Sequence, residues 1–477
     1  MKLLINRFCG GRTIAWDSIL LGILSAAQHE IMLFAAVGVA LGGIDDLIVD
    51  MLFFVRHGWR RLTVYTRHRP MNATRIPLPT VPGGLAVFIP AWQEADVIGP
   101  MLRTSLRRWG QGNYCIFVGV YPNDPATSTA VSEASQDPRI ITAVTRTDGP
   151  TTKADCLNAL WRAMLEQESH RGQQFKAIVL HDAEDVVHHD SLRVLDRLTD
   201  RFDLVQLPVL PLVSQQSQWI AGHYCDEFAE SHGKYLTVRE AIGAAVPSAG
   251  VGCAFSRKAL AKLAKAQDGF PFDPASLTED YEIGLRIAEN GGRGIFVRML
   301  DNRRKPVCTR EHFPETLSAA IHQKARWMIG ISLSGWDRLG WKGGIPELWM
   351  RLRDRRSALA ALILFAAYLA FILWIFLTAA GWLGLYSARP VSPLLVDLLW
   401  FNGVLMAWRV AMRALFVIRF YGVEQGLRSI PRTIFANFIA ILAAARAVRI
   451  YIGMLRGQPL VWDKTQHRFP ADRLGYY

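Results

Sequence analysis

The stretch KAIVLHDAEDVVHHD, Lys176 to Asp190, decides how the chain is read. Ala177 to Leu180 have the length and composition of a buried strand. The chain then turns into Asp182, Glu184, Asp185 and Asp190, with three histidines among them. Carboxylates crowded at a strand end repel one another unless a cation or hydrogen-bond donors face them. Two other apolar runs end alike. Leu85–Ile89 runs into PAWQEAD, delivering Glu94 and Asp96, and Cys115–Val120 runs into YPND, delivering Asp124. In open α/β sheets ligands bind beyond the carboxyl ends of the strands, so these acids mark one site. Ile140–Val144 and Leu204–Leu207 are further strand candidates, and helical patterns alternate with the runs between Pro77 and Gly344. The expected fold class is α/β with mainly parallel strands.

The chain has 477 residues, 54 Lys and Arg against 41 Asp and Glu, a net charge of +13 and 51% hydrophobic residues. That hydrophobic share directs attention to membrane segments. Glu30–Val55 is long enough to span, although Asp45, Asp46 and Asp50 must then face protein, water or the interface. Ile14–Ala27 before it reads as a second crossing or an interfacial helix. Ser357–Leu385 and Val391–Trp408 are two further spans. Thr433–Leu455 carries Arg446 and Arg449 and reads rather as a helix lying along the membrane face.

Basic residues hug these segments: Arg56, Arg60, Arg61, Arg67 and Arg69 follow the first, and Arg351, Arg353, Arg355 and Arg356 precede Ser357. The positive-inside rule therefore puts residues 56–356 in the cytoplasm, and nucleic acid is not an expected partner. The expected division is a membrane segment at 1–70, a cytoplasmic α/β domain at 71–345, and transmembrane and interfacial helices at 346–477. Six cysteines without CxxC spacing point to reduced thiols rather than disulfides or a zinc knuckle.

Asp182 and Glu184, one residue apart on a turn, can aim two carboxylates at one ion, and hard oxygen ligands select Mg²⁺ or Mn²⁺. His181, His188 and His189 raise zinc as an alternative, against which stands the lack of an HxxxH or HExxH helix. A solvated acidic loop is the bland reading. Downstream, SLTEDYEIGLRIAENGG (Ser276–Gly292) sets Ser276 and Glu279 at capping-box spacing, so Asp280 falls in the first helical turn at the mouth of a site. In FPETLSAAIHQKARWMIGISLSGW (Phe313–Trp336), Gln323, Arg326 and Trp327 share one helical face. A planar donor, a fixed cation and an aromatic plate suit a diphosphate and a sugar ring.

Strand–acid, D-A-E-D, T-E-D and Q-x-x-R-W, in that order between membrane helices, resemble the membrane-embedded family 2 glycosyltransferases. GIDDLIVD, HDAEDVVH, YCDEFAESHGK, VPSAGVGCAFSR, SLTEDYEIGLR, QKARWMIGI and WDKTQH resemble the phage-adsorption protein B family (NfrB-like) over nearly the whole chain. The resemblance implies a GT-A-type (Rossmann-like) mixed, mainly parallel sheet flanked by transmembrane helices, in a multi-pass protein of the bacterial inner membrane. It also implies a metal-dependent, inverting hexosyltransferase using Mg²⁺ or Mn²⁺. The donor would be a UDP-sugar, by the family's example an N-acetylhexosamine. The acceptor would be a growing polysaccharide or a lipid-linked glycan, with membrane lipid and an outer-membrane or periplasmic export partner around it.

Carried over by position, Glu94 and Asp124 would line the uridine pocket and Lys153 would approach the diphosphate or the base. Asp182 and Glu184 would hold the metal-bound nucleotide diphosphate, with Asp185 as an alternative ligand. Asp280 would be the general base, Gln323 and Arg326 would bind the leaving diphosphate, and Trp327 would floor the acceptor site. Pro247–Gly252 would be a small-residue strand that an acceptor glycan approaches closely. Family members often carry a C-terminal cyclic di-GMP-binding domain; this chain stops soon after WDKTQH, which leaves that regulation open. A catalytically inactive scaffold of an envelope export or phage-receptor complex is the competing reading, and the retained acidic motifs stand against it.

Overall fold

The computed structural model describes residues 2–134, 136–385, 387, 390–458 and 468–470, with side chains from residue 19 onward. WDKTQH (462–467) lies outside the described residues. The chain divides into two compact units, residues 1–51 with 356–412, and residues 52–355 with 413–477.

The larger unit is built on a seven-stranded sheet: β1 Leu85–Pro90, β2 Tyr114–Val120, β3 Ile140–Val144, β4 Ala177–Leu180, β5 Leu204–Gln206, β6 Cys253–Ser256 and β7 Gly294–Phe296. The strand order is β3-β2-β1-β4-β6-β5-β7. Every pairing is parallel except those of β6, which runs antiparallel to β4 and to β5. β1, β2 and β4 are buried on both faces, as their unbroken apolar runs require. Val87 and Ile89 pack into one core layer, while Ala86 and Phe88 pack into the other with Leu157 and Leu160 of the helix Lys153–Arg171.

The chain leaves β1 for β2 and β3 on one side and returns to β4 on the other, so the topology switches between β1 and β4. That is where the carboxyl ends of an α/β sheet open a crevice. The expected strands are all present, with ends within one residue, while β6 and β7 add to them. Pro247–Gly252 is a loop rather than a strand, because Gly250 (φ 77°) and Gly252 (φ 58°) turn it through the left-handed region before β6 begins.

The smaller unit is helical. No proline interrupts Met1–Thr63, and the backbone runs as one helix from Lys2 to Thr63, so Ile14–Ala27 is not a separate segment. The acids at 45–50 are answered inside this unit. Arg356 reaches Asp45 at 2.5 Å and Asp46 at 2.8 Å, Arg409 reaches Asp46 at 2.9 Å, and Trp408 Nε1 donates to Asp50 at 2.8 Å. Small residues let the helices close up: a Cβ on Gly38 would meet Ile363 at 2.7 Å, and one on Gly43 would meet Leu405 at 2.9 Å. Among the described residues, four helices are long and apolar enough to cross a membrane: Ile19–Thr63, Ser357–Trp382, Pro393–Tyr421 and Val423–Leu455.

Candidate functional site

A cavity of about 360 Å³ opens at the switch point, wholly within the larger unit. Its walls include Glu94, Lys153, Asp182, Glu184, Asp280, Gln323, Arg326 and Trp327. These come from the loops after β1 and β4, the start of the helix Lys153–Arg171, the start of the helix Glu279–Glu289, and the helix Leu317–Trp327.

The loop after β1 is fixed by its neighbour. Gln93 takes a positive φ of 56°, and its N–H donates to Asp124 Oδ2 at 2.6 Å. Asp124 Oδ1 accepts from Thr127 N at 3.2 Å, and Thr127 Oγ1 accepts from Glu94 N at 2.9 Å. Asp124 is buried and stands outside the cavity lining, where it ties the β1 and β2 loops together. Glu94 opens the helix Ala95–Trp109 without a side-chain cap bond and lines the cavity. Lys153 begins its helix under a capping box of Thr152 and Asp155, so its backbone is held rigidly.

After β4 the acids part ways. Asp182 and Glu184 face the cavity, and Lys153 Nζ stands 2.5 Å from Asp182 Oδ1. Asp185 turns inward: its Oδ2 is 2.6 Å from His181 Nδ1 and accepts from Asp182 N at 3.2 Å. Asp185 is therefore the brace of the turn and not an alternative ligand in the cavity. Burial pushes the His181 imidazole down to about 4 and holds the Asp185 carboxyl well above the usual carboxylate range, with repulsion by Asp182 and Glu184 adding to it.

The other histidines make a separate group, with ligand atoms of His188, His189 and Asp301 within 4.8 Å of one another. Yet His188 Nδ1 accepts from Asp190 N at 3.1 Å, which places the hydrogen of the neutral ring on Nε2, facing Asp301. A metal there would have to displace that proton, so the donor set is poor for zinc.

The helix carrying Asp280 starts at Glu279, with Thr278 before it and no side-chain cap. Ser276 Oγ accepts from Thr278 N at 3.3 Å instead of capping the helix. Asp280 Oδ1 accepts from Tyr281 N at 2.7 Å, and its Oδ2 lies against Gly250, where a Cβ would collide with it. Burial raises the Asp280 pKa, with Lys153 and Arg326 opposing and Asp182 reinforcing. Burial and then Asp280 push Glu279 up to about 7. Burial works against the Lys153 ammonium, but Asp182, Glu279 and Asp280 together raise its pKa. The cavity thus carries seven carboxyl groups (Glu94, Asp182, Glu184, Glu279, Asp280, Glu311 and Asp354) against Lys153, Arg239 and Arg326.

Trp327 packs edge-on against Tyr224, with ring centroids 6.1 Å apart, and also near Phe228 and Phe313. The spacing reading missed the far wall. There Asp354 accepts from Tyr235 Oη at 2.9 Å, Tyr281 Oη at 2.7 Å and Arg239 Nη1 at 2.6 Å. His232, also on the wall, accepts from Val209 N through Nδ1, and burial pushes it down to about 3. His232 lies in the quoted stretch YCDEFAESHGK, and Tyr235 follows directly after it, the one signal that pointed to this wall.

Known proteins resemble the chain in two ways. Residues 177–445 match the family described as glycosyl transferase family group 2. The bacteriophage adsorption protein B of Escherichia coli (strain K12) and the bacteriophage N4 adsorption protein B of Escherichia coli O157:H7 are each 38% identical over 91% of this chain. The chain spans 61% of the length of these relatives. Among solved structures, a mannosyltransferase from Pyrobaculum calidifontis in complex with GDP-Man and Mn²⁺ superposes with a TM-score of 0.51. Its identity is 16%, covering 88% of this chain and 99% of that one.

Proposed function

The chain belongs to glycosyl transferase family group 2, and from that premise we propose that it transfers a hexosyl unit from a UDP-sugar to a growing surface or secreted glycan at a membrane. It is a glycosyltransferase related to phage adsorption protein B, with a GT-A fold. The observation that supports the finer reading is one cavity gathering Lys153, Asp182, Glu184, Asp280, Gln323, Arg326 and Trp327 from separate elements.

Each residue then has a task. Glu94 borders the nucleoside end, and Asp124 holds the loop from which Glu94 projects. Asp182 and Glu184 are hard oxygen donors on one turn, and the excess of carboxylates in the cavity fits Mg²⁺ or Mn²⁺ better than a second lysine. When bound, such an ion supplies positive charge to the diphosphate of the donor. Lys153, Gln323 and Arg326 face the charge that builds on the departing diphosphate. Asp280 takes the proton of the acceptor hydroxyl; its raised pKa makes it a stronger base than an exposed aspartate. Trp327 gives the acceptor sugar an aromatic floor. One base and in-line attack predict inversion at the anomeric carbon. The four apolar helices support a membrane protein, and the basic residues flanking them support a bacterial inner-membrane location with the 71–345 domain in the cytoplasm.

The test is nucleotide release by the purified chain in nanodiscs with Mg²⁺ or Mn²⁺, across a panel of UDP-sugars, with GDP-mannose included because the similar structure holds it. Asp280→Asn should slow release roughly 10²–10⁴-fold. Equal release by both proteins removes Asp280 from the role of base, and no release from any donor favours the scaffold.

A further inference from the structure

Away from the cavity, positive charge collects where two membrane helices end. Arg56, Arg60 and Arg61 stand on the last two turns of the helix that closes at Thr63, and Arg419 on the last turn of the helix that closes at Tyr421. Arg298 lies two residues beyond β7. Arg298 is tied between the two helix ends. Its Nη1 donates to Gly233 O at 2.7 Å, and its guanidinium stands 5.8 Å from the centre of the Phe53 ring. Phe53 packs edge-on against Phe416 at 5.3 Å, and a Cβ on Gly233 would meet Phe416 at 2.8 Å and Phe420 at 3.0 Å.

Loss of water first, then repulsion by Arg419, Arg56 and Arg60, push the Arg298 guanidinium down to about 10. Arg56, Arg61, Arg298 and Arg419 also surround His57 closely enough to act on its ring. Among the described residues, the one carboxylate paired with any of these five arginines is Glu240, 3.5 Å from Arg56. The contrast lies on the same helix: Arg413, six residues before Arg419, has Glu230 at 3.2 Å. Several like charges gathered with a single carboxylate among them repel, and an anion offsets that cost.

We propose that Arg56, Arg60, Arg298 and Arg419 form a phosphate-binding site that takes the headgroup of an anionic phospholipid. Guanidinium forks match phosphate oxygens in pairs. The site lies where apolar helices give way to basic residues, the level of lipid headgroups, and basic pockets at helix ends there take anionic lipids. Phe53 and Phe416 are buried beneath the arginines and back the Arg298 guanidinium.

Native mass spectrometry of the full chain, released from nanodiscs, tests this with phosphatidylglycerol and phosphatidylcholine in turn. The wild type should retain phosphatidylglycerol. Arg56→Gln/Arg298→Gln/Arg419→Gln should bind it about 100-fold more weakly, at roughly a factor of five per charge, with phosphatidylcholine unchanged. Arg298→Gln alone should lose about fivefold and keeps the test open if the triple variant fails to fold. Equal phosphatidylglycerol binding by wild type and Arg298→Gln overturns the site. Broadening of the ³¹P signal of inorganic phosphate by the wild type and not the triple variant, without any lipid preference, overturns the lipid assignment in favour of a free phosphate.

Discussion

Glu279 shows how one residue reports on its whole cavity. Its carboxyl is buried beside Asp280, and Lys153 and Arg326 offset that neighbour only in part, so its pKa rises from the ordinary 4.5 to about 7. Between those values the folded chain keeps a proton on Glu279 that the unfolded chain has released. The stability tied to this proton is therefore complete below about pH 4.5 and is lost as the pH rises to about 7. Measured against Glu279→Gln, the metal-free wild type should lose relative stability between pH 5 and pH 8 along a slope worth on the order of 3 kcal/mol at most, since His181 and His232, buried neutral, act on both proteins alike. A variant with the wild-type slope would show that the proton sits elsewhere. The same crowding draws a neighbouring ammonium, Lys153, onto Asp182.

Elements whose residues share one burial were legible; those assembled from distant pieces were not. Continuous apolar runs gave β1, β2 and β4, because a strand buried on both faces cannot hide its composition. β6, Cys253–Ser256, ends in a serine and β7, Gly294–Phe296, opens on a glycine, so neither shows the unbroken aliphatic run that marked the equally short β4. The acids at the β1 and β4 ends were readable as a site because their charge has no structural excuse at a strand terminus. Asp354, Arg239 and Tyr235 were not, since each sits in a helical segment where polar residues look like a solvated face. The loop before β6 carries a consequence of its own. Gly250 combines a φ of 77° with direct contact to Asp280, so a methyl group there is strained and must also push the carboxylate aside. Gly250→Ala should lower kcat about 100-fold, the scale of a small misplacement of the proposed base, with the donor KM held within about twofold. A full kcat in steady-state assays would show that Asp280 tolerates displacement.

Across the whole molecule the open matter is the path of the last helix, Val423–Leu455, which has the length and apolarity of a span and contains Arg446 and Arg449. Within the larger unit its inner stripe is Gln425, Ser429, Arg432, Ile439, Ala443 and Ala447, recurring at helical spacing and buried against protein. Arg432 forms a fully buried ion pair with Asp226 at 2.9 Å, Ile439 joins the Tyr224 and Phe313 cluster, and Phe435 stacks on Trp219 at 5.3 Å. A helix crossing a bilayer could not keep these contacts with a polar sheet domain, since they extend from its first turns to its middle. Its outer face, with Ile434, Phe438 and Leu442 exposed, suits lipid on one side only. The helix should therefore lie along the membrane face, with its end on the same side as the sheet domain. A topology reporter fused after Gln458 should give the same signal as one inserted in the exposed turn at Asp268 and Gly269. Arg432→Ala, which leaves Asp226 buried without its cation, should cost about 3–5 kcal/mol of stability by denaturant melting, and pairing it with Asp226→Asn should recover part of that loss. Opposite signals from the two reporters would mean that Val423–Leu455 crosses after all, and the Arg432–Asp226 pair would then have to be given up with it.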